Sequence, residues 1–237
     1  MKLIQKAINY VFPFRCSACS NLTDSSDGIC GSCWPKFNFI TKPYCDICCE
    51  KFQVNLGEDA ICGRCISHKP KVDTMRSLLE FAPDTKKLIH KFKYNDKTSL
   101  GKFFAKLLYN RFEQELKDVD LIVPVPMHKF KRIFRGYNPP QILASELAKQ
   151  MNKPTVPELL IKEKMTKNQV GLSRAQRSKN LSGSFAVSKN FDVTGKVILL
   201  VDDVLTTGAT SNECSKILKK SGASVVKLVT IAKVGLG

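Results

Sequence analysis

The sequence lacks any apolar run long enough to cross a membrane. A membrane-spanning helix needs about 20 consecutive apolar residues, and the N-terminal stretch, residues 1–14, is interrupted by Gln5, Lys6 and Asn9. This stretch also lacks the small-residue cleavage site that ends a signal peptide. Its apolar spacing predicts a short amphipathic helix instead. We therefore expect a cytoplasmic protein with no membrane span.

Acidic residues are scarce relative to basic ones. The 237 residues include 38 Lys or Arg and only 21 Asp or Glu, which gives a formal net charge of +17. Residues 1–69 are nearly neutral, so the excess lies in residues 70–237. A basic field of this size favours polyanionic partners such as nucleotides or nucleic acid. A well-solvated, lysine-rich surface is the alternative, and charge alone does not separate the two.

Cysteine is almost absent after residue 65, where only Cys214 remains, in a predicted helix. The other nine cysteines lie earlier and mostly form Cys-x-x-Cys pairs, which in a cytosolic chain favours metal ligation over disulfides. Two such pairs direct four thiolates at one metal ion. The spacing predicts two zinc sites, one formed by Cys16, Cys19, Cys30 and Cys33 and the other by Cys45, Cys48, Cys62 and Cys65.

Four soft ligands with no open position indicate structural zinc rather than catalysis. Cysteine redox chemistry and an iron–sulfur cluster are the less favoured alternatives. Cys49 follows Cys48 directly, so it either replaces Cys48 as a ligand or is a free thiol. His68 is interpreted as a surface residue. Because this segment is poor in apolar residues, we expect its folding to depend on the metal.

Ordinary helix and strand periodicity begins near Lys69-Pro70-Lys71, where the cysteine pairs stop. We therefore divide the chain into a cysteine-rich module, residues 1–69, and a domain, residues 70–237. In the domain, short apolar runs alternate with amphipathic helical stretches, which indicates a parallel α/β sheet flanked by helices. The predicted strands are 77–81, 121–125, 196–201 and 225–232, and the predicted helices are 84–93, 99–117, 141–151 and 210–221.

The most informative stretch follows the predicted strand 196–201. Two carboxylates, Asp202 and Asp203, come first, and a Thr-Thr-Gly-Ala-Thr turn at residues 206–210 then opens a helix. Backbone amides at a helix start, together with three threonine hydroxyls, form a pocket for a phosphate monoester, and Gly208 allows close backbone approach. The carboxylates lie where α/β sheets bind ligands and can accept hydrogen bonds from sugar hydroxyls. A helix cap or a metal ligand is the less favoured alternative.

This stretch resembles the phosphoribosyl pyrophosphate signature of type I phosphoribosyltransferases. The resemblance implies that Asp202 and Asp203 are the catalytic pair that holds the ribose hydroxyls, with Mg²⁺ accompanying the ligand. It assigns the 5′-phosphate to Thr206, Thr207, Gly208, Ala209 and Thr210. In these enzymes the loop after the predicted strand 121–125 holds the pyrophosphate, and here that loop contains Val125, Pro126, Met127 and His128.

The whole chain resembles the competence protein F (ComF) family, in which a zinc module precedes such a domain. The segments that carry the resemblance are Val123-Pro124-Val125-Pro126, Arg135-Gly136-Tyr137-Asn138, Thr166-x-x-Gln169-x-Gly171-Leu172 and Arg177-x-x-Asn180-x-x-Gly183-x-Phe185. It implies a type I phosphoribosyltransferase-like parallel sheet flanked by helices, preceded by a small zinc-ribbon module. It also implies a role in DNA uptake, in which family members handle incoming single-stranded DNA.

Two departures from the family pattern bear on turnover. Pro139 follows Asn138 where the family has Gln, and Lys162 and Lys164 stand where arginines are usual. Lysine keeps the positive charge but loses bidentate phosphate recognition. These departures put catalysis in question more than ligand binding.

Two further basic groups are candidate contacts. Lys129, Arg132 and Arg135 alternate with aromatic residues and can neutralise a leaving pyrophosphate or a DNA backbone. An equally favoured alternative is that the apolar residues pack into the core while the charged side chains are merely solvated. Arg174 and Arg177 lie in a polar stretch that resembles the loop that closes over the substrate in these enzymes.

Three functions compete at this point. The chain is an Mg²⁺-dependent enzyme that transfers a phosphoribosyl group, a non-catalytic sensor of phosphoribosyl pyrophosphate that binds single-stranded DNA, or an adaptor that docks a DNA-translocating competence protein. We favour a phosphoribosyltransferase-type domain with a role in DNA uptake and leave turnover open.

Overall fold

A four-stranded parallel sheet, in the strand order β1-β6-β5-β2, organises the chain. The computed structural model describes residues 14–23, 28–94, 99–127, 133, 136–163, 176 and 180–235. The strands are β1 (Thr74–Glu80), β2 (Leu121–Pro124), β3 (Leu160–Lys162), β4 (Phe185–Val187), β5 (Val197–Leu205) and β6 (Val225–Lys233). The helices are α1 (Gly63–Ser67), α2 (Pro83–Tyr94), α3 (Ser99–Leu116), α4 (Pro139–Met151) and α5 (Ala209–Lys220).

The two faces of the sheet are built by the alternation of residues along each strand. In β5, Leu199 and Val201 belong to a core shared with α2, α3 and α4. The intervening residues Ile198 and Leu200 belong to a second core, shared with α5 and with the antiparallel ribbon β3–β4. These continuous apolar strands are typical of a parallel sheet covered on both faces. The predicted parallel sheet flanked by helices is confirmed.

Strand β5 is longer than predicted. The sequence predicts a strand that ends at Val201, because two carboxylates follow. In the structure the ladder with β6 continues, and it places Asp202 opposite Thr230 and Leu205 opposite Lys233. Backbone pairing with a long neighbouring strand therefore overrides the change in side-chain polarity. The sequence pattern also predicts no strand between residues 151 and 196, where the structure has the antiparallel ribbon β3–β4.

The cysteine-rich module covers the outer edge of β1. Ile40 N donates a hydrogen bond to Leu78 O at 3.0 Å, Glu80 N donates to Asn38 O at 2.8 Å, and Met75 N donates to Ile47 O at 2.7 Å. An exposed sheet edge is a template for unwanted pairing, so the module protects the sheet on this side.

The predicted N-terminal helix, residues 1–14, lies outside the described residues apart from Phe14. Within the part of the chain that the structure describes, no helix is long and apolar enough to span a bilayer.

Candidate functional site

The eight paired cysteines form two clusters of four thiols, as the sequence predicts. The sulfurs lie within 4.8 Å of one another in Cys16, Cys19, Cys30 and Cys33, and again in Cys45, Cys48, Cys62 and Cys65. One Sγ–Sγ pair is separated by 3.7 Å in each cluster, Cys19–Cys30 and Cys48–Cys62. A tetrahedral zinc site with Zn–S bonds of about 2.3 Å separates its sulfurs by about 3.8 Å.

Backbone hydrogen bonds to sulfur occur at equivalent positions of the two clusters. Cys30 N donates to Cys16 Sγ and Cys62 N donates to Cys45 Sγ, both at 3.3 Å. Such donors stabilise thiolates and orient them around a metal. The distances, the donor atoms and these bonds all fit one structural zinc ion in each cluster.

Cys49 lies outside both clusters as the described residues define them. Cys49 adopts a left-handed backbone conformation with φ 57°. Ser20, which follows the corresponding cysteine of the first cluster, adopts the same conformation with φ 66°. In both turns the backbone N–H donates to the carbonyl of the first cysteine, Cys45 or Cys16. The chain reverses after the second cysteine of each pair, and the buried Cys49 Sγ faces Ser77 O at 3.9 Å. Cys48 is therefore the cluster member, and His68 also stands apart from both clusters.

The two carboxylates of the predicted acidic pair face opposite sides of the sheet because they are neighbours on a strand. Asp202 lines a cavity on the α5 side, together with Thr230 of β6. Asp203 is buried, and its Oδ1 lies 2.8 Å from the Nζ of Lys93 on α2. The structure thus places the two acids at one strand end but in different surroundings.

Burial raises the pKa of Asp202, and the negative charge of Asp203 raises it further, to about 7. The N–H of Asp203, which donates to Asp202 Oδ1 at 2.8 Å, and the positive charges of Lys93 and Lys162 act in the opposite direction. Asp202 therefore retains its proton to a higher pH than an ordinary surface aspartate.

The predicted phosphate loop wraps the N-terminus of α5. Gly208 is the N-cap, with φ 74°, a conformation that favours glycine. Its carbonyl accepts hydrogen bonds from Asn212 N at 2.9 Å and from Ser211 Oγ at 3.0 Å. The cavity that Asp202 enters is also lined by Thr206, Gly208, Ala209 and Thr210. Thr207 lines the adjoining groove instead.

The predicted pyrophosphate loop begins next to β5. Val125 is buried, and its N–H donates to Val201 O of β5 at 2.8 Å, while Pro126 and Met127 are half-buried. His128 lies outside the described residues, as do Lys129, Arg132, Arg135, Arg174 and Arg177. The basic candidates of the sequence analysis therefore remain predictions.

Sequence reasoning missed Lys93. The residue lies in a helix whose spacing marks only its apolar stripe, Leu88, Ile89 and Phe92, and a lysine on the polar face is expected to be solvated. Nothing in the local pattern distinguishes it from the exposed Lys86 and Lys87. Only the packing of α2 against the sheet brings it to Asp203.

The comparisons with known proteins agree with a cysteine-rich zinc module followed by an α/β domain. The double zinc ribbon domain matches residues 7–66, and the phosphoribosyl transferase domain matches residues 141–235. Competence protein F from Haemophilus influenzae is 33% identical over 230 residues, covering 94% of this chain and 98% of the relative. DNA utilization protein YhgH from Escherichia coli is 26% identical over 218 residues, covering 90% and 87%.

Among solved structures, the glutamine phosphoribosylpyrophosphate amidotransferase of Bacillus subtilis is 19% identical, covering 59% of this chain and 30% of that chain. Its TM-score of 0.38 is too low to support an argument.

Proposed function

Because the chain belongs to the competence protein F (ComF) family, we propose that it binds phosphoribosyl pyrophosphate at the carboxyl edge of its sheet and acts in DNA uptake. The observation that carries the binding proposal is the cavity shared by Asp202 and the loop at the start of α5. A phosphate group at this helix start meets backbone N–H groups and the positive end of the helix dipole.

Each part of the ligand has a place in this arrangement. The 5′-phosphate binds Thr206 to Thr210, and the ribose hydroxyls donate to the carboxylates of Asp202 and Asp203. The pyrophosphate lies along Val125, Pro126, Met127 and His128. Mg²⁺ is bound chiefly by the ligand's own pyrophosphate oxygens and retained waters, so it needs no dedicated cage in the protein. Transfer of the phosphoribosyl group to an acceptor is a further step. An assay of pyrophosphate release in the presence of candidate bases or DNA tests it.

The binding proposal is tested by calorimetry with phosphoribosyl pyrophosphate and Mg²⁺. We expect Thr210→Leu to abolish binding because the bulkier apolar side chain fills the cavity and removes a hydroxyl. We expect the same of Thr207→Leu, because it removes the hydroxyl that accepts a hydrogen bond from the Ala209 N–H at 3.4 Å within the phosphate loop. Asp202→Asn combined with Asp203→Asn should weaken binding. The matched control is Thr41→Leu, an exposed threonine in the cysteine-rich module. Unchanged affinity in all the folded site variants would rule out this site.

We also propose that the domain binds single-stranded DNA in the cytoplasm, and the net charge of +17 supports this proposal. Each neutralised phosphate contributes about −0.7 to the slope of log affinity against log salt concentration for single strands. Neutralising Lys129, Arg132 and Arg135 together should reduce the slope by roughly 1.4 to 2.1.

Fluorescence anisotropy of a labelled oligonucleotide across a salt series measures that slope. If the wild-type protein shows no salt-sensitive binding at low ionic strength, the DNA proposal is wrong. A slope that does not change in the triple variant would mean that the DNA lies elsewhere, for example along residues 86–106. A competence protein that translocates DNA is the proposed partner, and co-purification from competent cells tests that association.

We propose finally that the division near Lys69–Lys71 separates two units that do not fold independently. Cys16 and Cys33 join the core on the α2–α4 face of the sheet, and Cys45, Cys48 and Cys65 join the core on the α5 face. Separate expression of residues 70–237 tests this proposal, and a stable, monodisperse fragment would contradict it.

A further inference from the structure

Lys93 forms an ion pair with the acidic residue that faces away from the cavity. Its Nζ lies 2.8 Å from Asp203 Oδ1, and the side chains are 23% and 11% exposed. Burying a charged group is costly unless an opposite charge or hydrogen bonds compensate it. Lys93 supplies that charge from α2, an element remote in sequence from β5.

The surroundings of Lys93 connect it to the proposed pyrophosphate loop. Tyr137 Oη donates a hydrogen bond to the carbonyl of Phe92, the residue before Lys93. Next to Tyr137, Asn138 directs Nδ2 toward Val125 O at 3.5 Å, while its buried Oδ1 has no hydrogen-bond partner among the residues that the structure describes. The end of α2 therefore contacts β5 through Lys93, and the neighbouring residues Tyr137 and Asn138 link it to the loop after β2.

Other lysines of α2 behave differently. Lys87 is 76% exposed and pairs with Asp84 one turn earlier on the same helix. Lys91 donates to the carbonyls of Ser17 and Ala18 in the cysteine-rich module, at 3.0 and 2.7 Å. Lys93 is thus the lysine of this helix that reaches the carboxyl edge of the sheet, within the part of α2 that the structure describes.

We propose that Lys93 is a positioning residue of the ligand site: its ion pair holds the Asp203 side chain so that this carboxylate accepts hydrogen bonds from the ribose hydroxyls of phosphoribosyl pyrophosphate. The inference rests on the proposed function and adds a residue from outside the signature stretch. Strand alternation turns Asp202 toward the α5 face and Asp203 toward the α2 face, so a ribose that contacts both carboxylates lies across the carboxyl end of the strand. The ion pair with Lys93 holds the Asp203 side chain on its face.

Calorimetry with phosphoribosyl pyrophosphate and Mg²⁺ tests the proposal. Lys93→Met should weaken binding about 10-fold to 100-fold, the range expected for losing one charge-assisted contact. Lys93→Arg should restore most of the affinity because it keeps the charge. Lys87→Met is the matched control on the same helix and should bind like the wild type.

A double-mutant cycle separates positioning from general destabilisation. If Lys93 acts through Asp203, then Lys93→Met combined with Asp203→Asn should bind no more weakly than Asp203→Asn alone. If Lys93→Met does not fold, Lys93→Gln takes its place in the cycle. Additive losses in the double variant, or wild-type affinity in Lys93→Met, would overturn the proposal while leaving the binding site intact. A wild-type protein that does not bind the ligand would overturn the proposed function and this inference with it.

Discussion

The cysteine-rich module and the α/β domain hold together by different means. Among the described residues 14–69, the buried apolar side chains other than cysteine are Ile29, Phe37, Ile40 and Tyr44. The domain instead buries aliphatic and aromatic side chains on both faces of its sheet. A segment that buries so little apolar surface cannot offset its conformational entropy by packing alone. In the cysteine-rich module, metal ligation therefore takes the place of a hydrophobic core.

The module is nevertheless bound firmly to the domain by polar contacts. Arg76 of β1 is buried; it donates to Asp46 O at 2.7 Å and to Asp46 Oδ1 at 3.0 Å, and it also pairs with Glu115 of α3. Lys233, at the end of β6, is buried against Glu50 of the module. These ion pairs join the second cysteine cluster to the sheet.

The largest effect is expected from the zinc ligands. Structural zinc contributes on the order of 10 kcal/mol to the folding of such modules. We expect two equivalents of zinc per chain, and Cys48→Ser should lose one of them, unfold the second cluster and destabilise the α5-side core that its cysteines join. Zinc assay and amide hydrogen exchange measure both results.

Cys49→Ser is the matched control for the zinc experiment, because Cys49 is buried next to Cys48 but outside the cluster. It should retain both zinc equivalents. Loss of one zinc in Cys49→Ser with two retained in Cys48→Ser would reverse our assignment of the ligand.

A smaller effect is expected where the two regions meet. Arg76→Met should lower the free energy of unfolding by about 2–4 kcal/mol, somewhat less than the cost of breaking a fully buried pair, because Asp46 and Glu115 remain partly exposed. Lys51→Met removes an exposed pair with Glu80 and should cost under about 1 kcal/mol. Urea denaturation at pH 7 compares the two variants, and equal losses would show that Arg76 does not join the regions.

The smallest effect concerns the pH dependence of stability. The pKa of Asp202 is about 7 in the folded protein, against an ordinary value of 3.8. Between these values the folded protein keeps a proton that the unfolded chain has released, so the contribution of Asp202 to stability falls as the pH rises through this window. Asp202→Asn should therefore gain stability relative to the wild type as the pH rises from about 4 to 8.

Asp192→Asn provides a control of opposite sign. The Thr194 N–H donates to Asp192 and lowers the pKa of this carboxyl below its ordinary value. The ionised Asp192 carboxylate stabilises the folded protein above pH 4, and this contribution is lost as the pH falls through the pKa of the folded state. Asp192→Asn should therefore be less stable than the wild type at neutral pH. Thermal denaturation across the pH range measures both differences, and a flat difference for Asp202→Asn would contradict the raised pKa.

The parts of the protein that depend on local pattern were predictable from the sequence. Cysteine spacing determined the composition of both clusters, because a Cys-x-x-Cys turn brings its two thiols together whatever the rest of the chain does. Apolar periodicity likewise determined the alternating strands and helices. The turn at residues 206–210 was predicted to open a helix, and in the structure Gly208 is the N-cap of α5.

Contacts between distant residues were decided by the tertiary structure. The length of β5 depends on its ladder with β6, so Asp202 and Asp203 became strand residues that face opposite sides of the sheet. The position of Lys93 beside Asp203 depends on how α2 packs, and the choice of Cys48 over Cys49 depends on a left-handed turn that the packed module stabilises. Such features arise from the register of paired strands and the packing of helices, which join residues that are far apart in the sequence.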